Sequence, residues 1–212
     1  MHVKFCGITT AEDAREAARL GAWAVGLIHD ANSPRRCTPE AAAEIGAELK
    51  RQTEVVGVFV DAPLDELVRA AENASLTMLQ LHGHEGPAFC REVARRTGCK
   101  VIKALRVRSA AEVQAIEAHR TDYHLLDAYH EGRPGGTGES FDWDLVARRR
   151  SQVPLILAGG LRPDNVAEAI AVARPFAVDV ASGIEASPGI KDHGLMAAFM
   201  ESVLGADQAV PA

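Results

Sequence analysis

The sequence predicts an α/β protein in which short apolar strands alternate with amphipathic helices along the chain of 212 residues. Eight strand–helix units follow one another without a linker, a charge block or a low-complexity segment between them. The strands are almost entirely apolar, as expected for parallel strands that are covered on both faces. These observations favour a single parallel sheet surrounded by helices.

Eight such units predict that the sheet closes into a (β/α)8 TIM barrel. A chain of this length holds eight units with few insertions, so we expect one compact domain over residues 1–204 and a frayed tail over residues 205–212. An open, doubly wound sheet is the alternative. It normally has fewer strands and a glycine fingerprint after the first one, where this sequence reads CGIT.

Each strand is a short apolar run, and most helices follow with a recognisable start signal. Thr10 and Thr38 are candidate N-caps. Pro163 and Asp164 suit the first turn of the seventh helix. The expected strands cover residues 3–6, 24–28, 55–60, 78–81, 101–105, 123–126, 155–158 and 176–180. The expected helices cover residues 10–20, 39–51, 63–74, 86–97, 109–118, 141–150, 162–172 and 193–204.

Composition excludes several classes of function. A net charge of −6 creates no general attraction for nucleic acid or acidic membranes, so any phosphate must be bound locally. The N-terminus does not resemble a signal peptide, and no apolar run is long enough to span a membrane. The four cysteines form no CxxC pair, which is typical of reduced thiols. We therefore expect a cytoplasmic protein.

Five histidines raise the question of a metal site. None of them forms a pair at i and i+4 on a helix, the spacing that metal-binding helices use, so we expect no protein-bound metal. They are His29, His82, His84, His124 and His130.

The last two expected strands are each followed by a turn of small residues. Gly159 and Gly160 follow the seventh strand, and Ser182 and Gly183 follow the eighth. Small residues let backbone N–H groups approach an anion, and a phosphate site after strands seven and eight is frequent in this fold. One Gly-Gly pair alone is compatible with an ordinary tight turn. The ordered pair of turns predicts a phosphate cradle.

In a parallel barrel the C-terminal ends of all strands open on one face, where active sites lie. Cys6 lies at the end of the first expected strand and Asp127 follows the sixth, so they can face each other with the cradle between them. A thiol and a carboxyl on opposite sides of a phosphorylated sugar suit general acid–base catalysis. Each residue also has a structural alternative: Cys6 as a small buried residue, Asp127 as a loop cap, and Arg35 as a solvated surface residue.

Ten motifs follow one another in a specific order, although each is modest alone. They are KFCGIT (residues 4–9), SPRRCTP (33–39), VGVFVD (56–61), LQLHG (79–83), VIKA (101–104), LLDA (125–128), GGTGESFDW (135–143), LAGGLRPDNV (157–166), and VDVASGIE with PGIKD near the end. Together they resemble the phosphoribosylanthranilate isomerase family of tryptophan biosynthesis, and the resemblance covers nearly the whole chain.

This resemblance implies an isomerase that carries out a cofactor-free Amadori rearrangement of N-(5-phosphoribosyl)anthranilate. It implies Cys6 as the general base, Asp127 as the general acid, and Arg35 as the partner of the anthranilate carboxylate. The acid would open the furanose to a Schiff base, whose iminium acidifies the C2 proton that a thiolate removes. Positive surroundings would lower the pKa of that thiol. We expect a monomer or a homodimer that binds this small phosphorylated substrate.

Three positions depart from the family pattern. Residues 27–30 end the second strand where aromatic residues are usual, Glu139 stands where lysine is common, and Ala181 replaces a usual serine. These departures concern substrate affinity more than reaction type. Three alternatives are the related histidine-pathway isomerase, which needs a second phosphate site, a metal-dependent sugar-phosphate epimerase with histidine ligands, and a non-catalytic phosphate-binding barrel.

Overall fold

A computed structural model describes residues 1–107, 109–127, 143, 146 and 149–209 of the chain. The first eight strands form a closed parallel barrel in chain order, because the first strand pairs with both the second and the eighth. The predicted (β/α)8 barrel is thus confirmed, and the open sheet is excluded. The strands are β1 (His2–Cys6), β2 (Ala24–Ile28), β3 (Glu54–Phe59), β4 (Met78–Leu81), β5 (Lys100–Arg106), β6 (Tyr123–Asp127), β7 (Leu155–Ala158) and β8 (Ala177–Val180).

The helices pack around the barrel, and both predicted threonine caps are confirmed. Thr10 Oγ1 accepts a hydrogen bond from the Asp13 N–H, and Thr38 Oγ1 accepts one from the Ala41 N–H. The predicted helix over residues 141–150 lies largely outside the described residues. The α-helices of the described residues are α1 (Ala11–Arg19), α2 (Pro39–Leu49), α3 (Leu64–Asn73), α4 (Pro87–Thr97), α5 (Ala110–Ala115), α6 (Val166–Ala173) and α7 (His193–Ala209).

Two helix boundaries differ from the prediction by four residues or more. Helix α6 begins at Val166, so Pro163 and Asp164 lie in a turn before it and not in its first turn. The reason is a side-chain hydrogen bond: Asn165 Oδ1 accepts from the Arg162 N–H at 2.8 Å and stabilises the turn. At the other end of the chain, α7 continues past residue 204 to Ala209, into the segment expected to fray.

A short antiparallel hairpin between β8 and α7 was not predicted. It consists of β9 (Glu185–Ser187) and β10 (Ile190–Lys191), and a 3₁₀ turn over Ser182–Ile184 precedes it. Thr9 Oγ1 donates to the Gly189 carbonyl at 2.6 Å, so the hairpin is attached to the loop that follows β1. This hairpin therefore adds polar residues to the C-terminal face of the barrel.

The core has two layers, because alternate residues of each strand face opposite sides of the barrel wall. The outer layer joins the wall to the helices and contains Phe5, Phe59 and Phe199. The inner layer consists of aliphatic residues, one methionine and one cysteine: Cys6, Ala24, Val56, Val58, Met78, Ile102, Ala104, Leu125, Ile156, Ala158 and Ala177. In the described part of the chain, no helix has the length and apolar character to cross a membrane.

The same substitution is expected to have opposite effects in two helices. In Gly46→Ala the added Cβ would overlap the Ala74 carbonyl oxygen, so α2 must shift away and the protein should lose about 1–3 kcal/mol of stability. Gly205 in α7 is exposed and has no atom within 4 Å of such a Cβ. Gly205→Ala should therefore stabilise the protein by about 0.5–1 kcal/mol. Urea denaturation measures both values, and equal effects would contradict the proposed contact.

Candidate active site

Cys6 is the last residue of β1 and lies in the inner layer of the barrel, with 6% of its surface exposed. Its neighbour across the β1–β2 pairing is Gly26. A Cβ at position 26 would lie 2.7 Å from Cys6 Sγ and 2.9 Å from Lys4 Nζ. The glycine therefore leaves space for a thiol and an ammonium group side by side.

The charges around Cys6 come from three elements of the fold. Lys4 Nζ is fully buried and donates to Asp179 Oδ1 of β8 at 2.8 Å, and its positive charge acts on the Cys6 thiol. Lys191 of β10 adds a second positive charge. Burial raises the pKa of the Cys6 thiol above its ordinary value, although both lysines oppose this effect. Positive surroundings thus lower this pKa in the expected direction, but burial is the larger effect.

Asp127 ends β6 on the same face and lies beside His82, which follows β4. His82 Nε2 is 3.6 Å from Asp127 Oδ2, and His82 Nδ1 is 3.4 Å from Gln80 Nε2. Burial lowers the pKa of His82 to about 4, with Arg106 contributing, so the imidazole is neutral at pH 7. The charges of Asp179 and Lys4 also act on the pKa of His82, which Asp179 raises and Lys4 lowers. A neutral imidazole thus lies beside the predicted general acid.

The turns after β7 and β8 meet at the level of the backbone. Gly159 and Gly160 have φ values of +100° and +62°, which other residues rarely adopt. A Cβ on Gly183 would overlap the Leu161 carbonyl oxygen, so only glycine permits this approach of the two turns. Within the described residues, the N–H groups of Gly160, Ser182 and Gly183 donate to no backbone carbonyl. All four predicted cradle residues are therefore together.

Arg35 lies in the loop after β2 and packs beside the backbone that follows Cys6. A Cβ on Gly7 would be 3.0 Å from Arg35 Cδ. Arg35 Nε and Nη2 each donate to Glu185 of β9 at 2.8 Å, and Lys191 Nζ is 3.0 Å from the same carboxylate. Although burial opposes its charge, hydrogen bonds from Arg35 and Lys191 hold the pKa of Glu185 below its ordinary value. The loop arginine is thus part of a buried charged cluster.

Several polar residues of this face were not singled out from the sequence. Lys4 and Asp179 are charged residues inside otherwise apolar strands, and that contrast is a signal that could have identified them. Glu185 and Lys191 lie in quoted motifs, but nothing in their spacing indicates contact with Arg35. No group of three or more His, Cys, Asp or Glu side chains suited to a metal ion occurs among the described residues. His130, Glu139 and the GGTG segment lie outside those residues.

A family model of N-(5'-phosphoribosyl)anthranilate isomerase matches residues 3–202 of this sequence. The chain belongs to this family. Phosphoribosylanthranilate isomerases are enzymes of tryptophan biosynthesis, and membership sets aside the histidine-pathway, epimerase and non-catalytic alternatives.

The family relationship extends over almost the full length of the chain. The N-(5'-phosphoribosyl)anthranilate isomerase of Citrifermentans bemidjiense is 50% identical over 190 residues, which are 90% of either chain. The crystal structure of phosphoribosyl anthranilate isomerase from Thermotoga maritima is 41% identical, has a TM-score of 0.89, and covers 97% of this chain and 99% of that one. A phosphoribosyl anthranilate isomerase structure in complex with reduced 1-(o-carboxyphenylamino)-1-deoxyribulose 5-phosphate is 39% identical, with a TM-score of 0.85 and the same coverage.

The neutral state of His82 predicts a dependence of stability on pH. The unfolded chain takes up a proton on this histidine near pH 6.5, whereas the folded chain resists protonation until about pH 4. The free energy of unfolding should therefore fall as the pH falls through this window, by up to about 1.4 kcal/mol per pH unit for one group.

Urea titrations at several pH values in this window give the free energy of unfolding as a function of pH. The slope of that dependence should be shallower for His82→Gln than for the wild type. His84→Gln is the matched control, because the His84 side chain is 97% exposed and should change the slope much less. An unchanged slope in His82→Gln would show that burial does not keep this imidazole neutral.

Proposed function

We propose that this family member isomerises N-(5-phosphoribosyl)anthranilate with Cys6 as the general base and Asp127 as the general acid. The observation that carries this proposal is the arrangement of the barrel mouth, which is the open face formed by the C-terminal ends of the strands. A thiol ends β1 and a carboxyl ends β6, and the turns after β7 and β8 lie between them in the closed ring. A sugar phosphate held by those turns would present its two faces to the two groups.

The phosphate of the substrate would bind in the cradle of Gly159, Gly160, Ser182 and Gly183. Backbone N–H groups without carbonyl partners, in turns that only glycine can form, support this assignment. The related isomerase with a bound reduced product also carries a 5-phosphate ligand. Phosphate binding at a point remote from the reacting carbons would supply the energy that orients the sugar.

The carboxylate of the anthranilate ring would bind near Arg35. Glu185 holds the Nε and Nη2 edge of the guanidinium in two hydrogen bonds, so the group is oriented before substrate arrives. Arg35, Lys191 and Glu185 combine two cations with one carboxylate, which favours a further anion. Arg35 also packs against Gly7, the residue after Cys6, so the ring would lie close to the thiol.

The proposed reaction consists of proton transfers alone. Protonated Asp127 donates to the ring oxygen, the C1–O bond breaks, and a Schiff base forms with the anthranilate nitrogen. The Cys6 thiolate then accepts the C2 proton, and the electrons of that C–H bond form the C1–C2 double bond of an enolamine. Tautomerisation adds a proton to C1 and leaves a ketone at C2. No redox or Lewis-acid step is needed, so these steps require no cofactor.

We also propose a cytoplasmic location, and the state of the thiols supports it. The four cysteines, Cys6, Cys37, Cys90 and Cys99, are all free in the structure. That the enzyme is a monomer or a homodimer stays a prediction.

Replacing either acid–base residue should abolish most of the activity. Cys6→Ala and Asp127→Asn should each lower kcat by about 10²–10⁴-fold, the usual contribution of one positioned acid or base. The assay follows the loss of anthranilate fluorescence when phosphoribosylanthranilate is made in situ. Cys99→Ala is the matched control, because this half-buried thiol precedes β5 at the opposite end of the barrel. Near-normal turnover by a folded Cys6→Ala or Asp127→Asn variant would refute the role of that residue.

The cradle predicts a separate effect on phosphate affinity. In Gly183→Ala the new Cβ must displace the Leu161 carbonyl, which opens the turns and should weaken inhibition by inorganic phosphate by about tenfold or more. Gly86→Ala is the matched control, since a Cβ there has no atom within 4 Å. Equal inhibition constants in both variants would argue against phosphate binding between these turns.

A further inference from the structure

The interior of the barrel contains an ion pair for which stability gives little reason. Lys4 Nζ and Asp179 Oδ1 are 2.8 Å apart, with 0% and 9% of their side chains exposed. Removing two charges from water is costly, and apolar residues of similar volume often stabilise a core as well or better. A role in the chemistry of the barrel mouth is the natural alternative.

The position of this pair points to one neighbour. Lys4 and Cys6 are two residues apart on β1, so their side chains project from the same face of the strand into the barrel. Gly26 of the adjacent strand leaves the space in which both groups lie, because a Cβ there would be 2.7 Å from Cys6 Sγ and 2.9 Å from Lys4 Nζ. Asp179 is the register partner of Lys4 across the β1–β8 seam. The ammonium is therefore held directly beneath the sulfur.

We propose that Lys4 is a positioning residue that stabilises Cys6 as the thiolate, and that Asp179 holds Lys4 in place by a hydrogen bond that an asparagine can still accept. This inference rests on the proposed role of Cys6 as the general base. When the thiolate accepts the C2 proton it becomes a neutral thiol, and the Lys4 ammonium keeps its own protons throughout. Lys4 thus adjusts the strength of the base without entering the reaction.

The other charges that face Cys6 set the direction of each effect. Lys4 from β1 and Lys191 from β10 favour the thiolate, whereas Asp179 from β8 disfavours it. Glu185 shares the Lys191 ammonium, and His82 is neutral at pH 7. Burial opposes the charge on Lys4, but Asp179 and Cys6 outweigh it, so the pKa of Lys4 is raised and the ammonium stays protonated. Removal of Lys4 and removal of Asp179 should therefore act in opposite directions on the thiol.

A second buried ion pair serves as the matched control. Lys103 Nζ and Glu85 Oε2 are 2.7 Å apart, with 1% and 3% of their side chains exposed. Lys103 also donates to the Leu81 and Gly83 carbonyls, so it ties together the segment after β4. Lys103→Met breaks an equally buried pair in a place where its charge is not among those that act on Cys6.

The experiment measures kcat/KM against pH, together with the pH dependence of Cys6 alkylation by iodoacetamide, followed by peptide mass spectrometry. In each profile the acid limb is the part in which the signal rises with pH as the thiol loses its proton. In Lys4→Met the acid limbs of both profiles should move to higher pH. Both kcat/KM and the alkylation rate should then fall about tenfold at neutral pH for each pH unit moved, and should recover at high pH. In Asp179→Asn both limbs should move to lower pH. In Lys103→Met neither should move.

A uniform loss of activity at all pH values, with unmoved limbs, would overturn the inference and leave Lys4 a structural role. If Lys4→Met fails to fold, the double variant Lys4→Met/Asp179→Asn leaves no unpaired charge and decides the question. Its limbs should still move to higher pH, because Lys4 affects the thiol more than Asp179 does. Limbs of the double variant that stay in place, or that move to lower pH, would equally refute the inference.

The role of Cys6 as the general base and the coupling between Lys4 and Cys6 can be tested separately. Activity in Cys6→Ala would refute the role of Cys6 as the base, whereas the alkylation profile of Lys4→Met measures the Lys4–Cys6 coupling without catalysis. An alkylation profile that moves while the catalytic limb stays in place supports the coupling and refutes Cys6 as the titrating base.

Discussion

The pairing of β1 with β8 is the interaction on which the active face depends. It closes the barrel, and its register sets Lys4 against Asp179, so a charged residue in each strand finds a partner inside an apolar wall. Closure also brings the first and last strands side by side. The thiol at the end of β1 consequently opens beside the turns that follow β7 and β8, although about 150 residues or more of chain lie between them.

A division between the two layers of the barrel explains how the fold tolerates this chemistry. The larger apolar cluster joins the wall to the helices and supplies most of the burial, so the interior can include a thiol and a few charges. The hairpin of β9 and β10 then contributes Glu185 and Lys191 to the mouth, where they hold Arg35. Stability and function therefore rest on different faces of the same strands.

Burial of the groups at the barrel mouth has two opposite consequences. Burial keeps His82 neutral and disfavours the Cys6 thiolate, yet it also strengthens each nearby charge. The Lys4 ammonium beneath the sulfur and the Arg35 cluster beside it are therefore more effective than they would be in water. An isomerase that moves only protons needs this kind of electrostatic control more than it needs a cofactor.

The sequence by itself determined the fold class, the strands to within one or two residues, and the grouping of Cys6, Asp127 and Arg35 at one face. It could do so because buried parallel strands are apolar runs and because barrel topology orders their ends. Only the tertiary structure decided which charges meet. The Arg35–Glu185 contact joins residues 150 positions apart, and the late start of α6 depends on the Asn165 side chain. Burial, which outweighs the effect of the two lysines on the pKa of the Cys6 thiol, is a property of the whole packed barrel and of no local pattern.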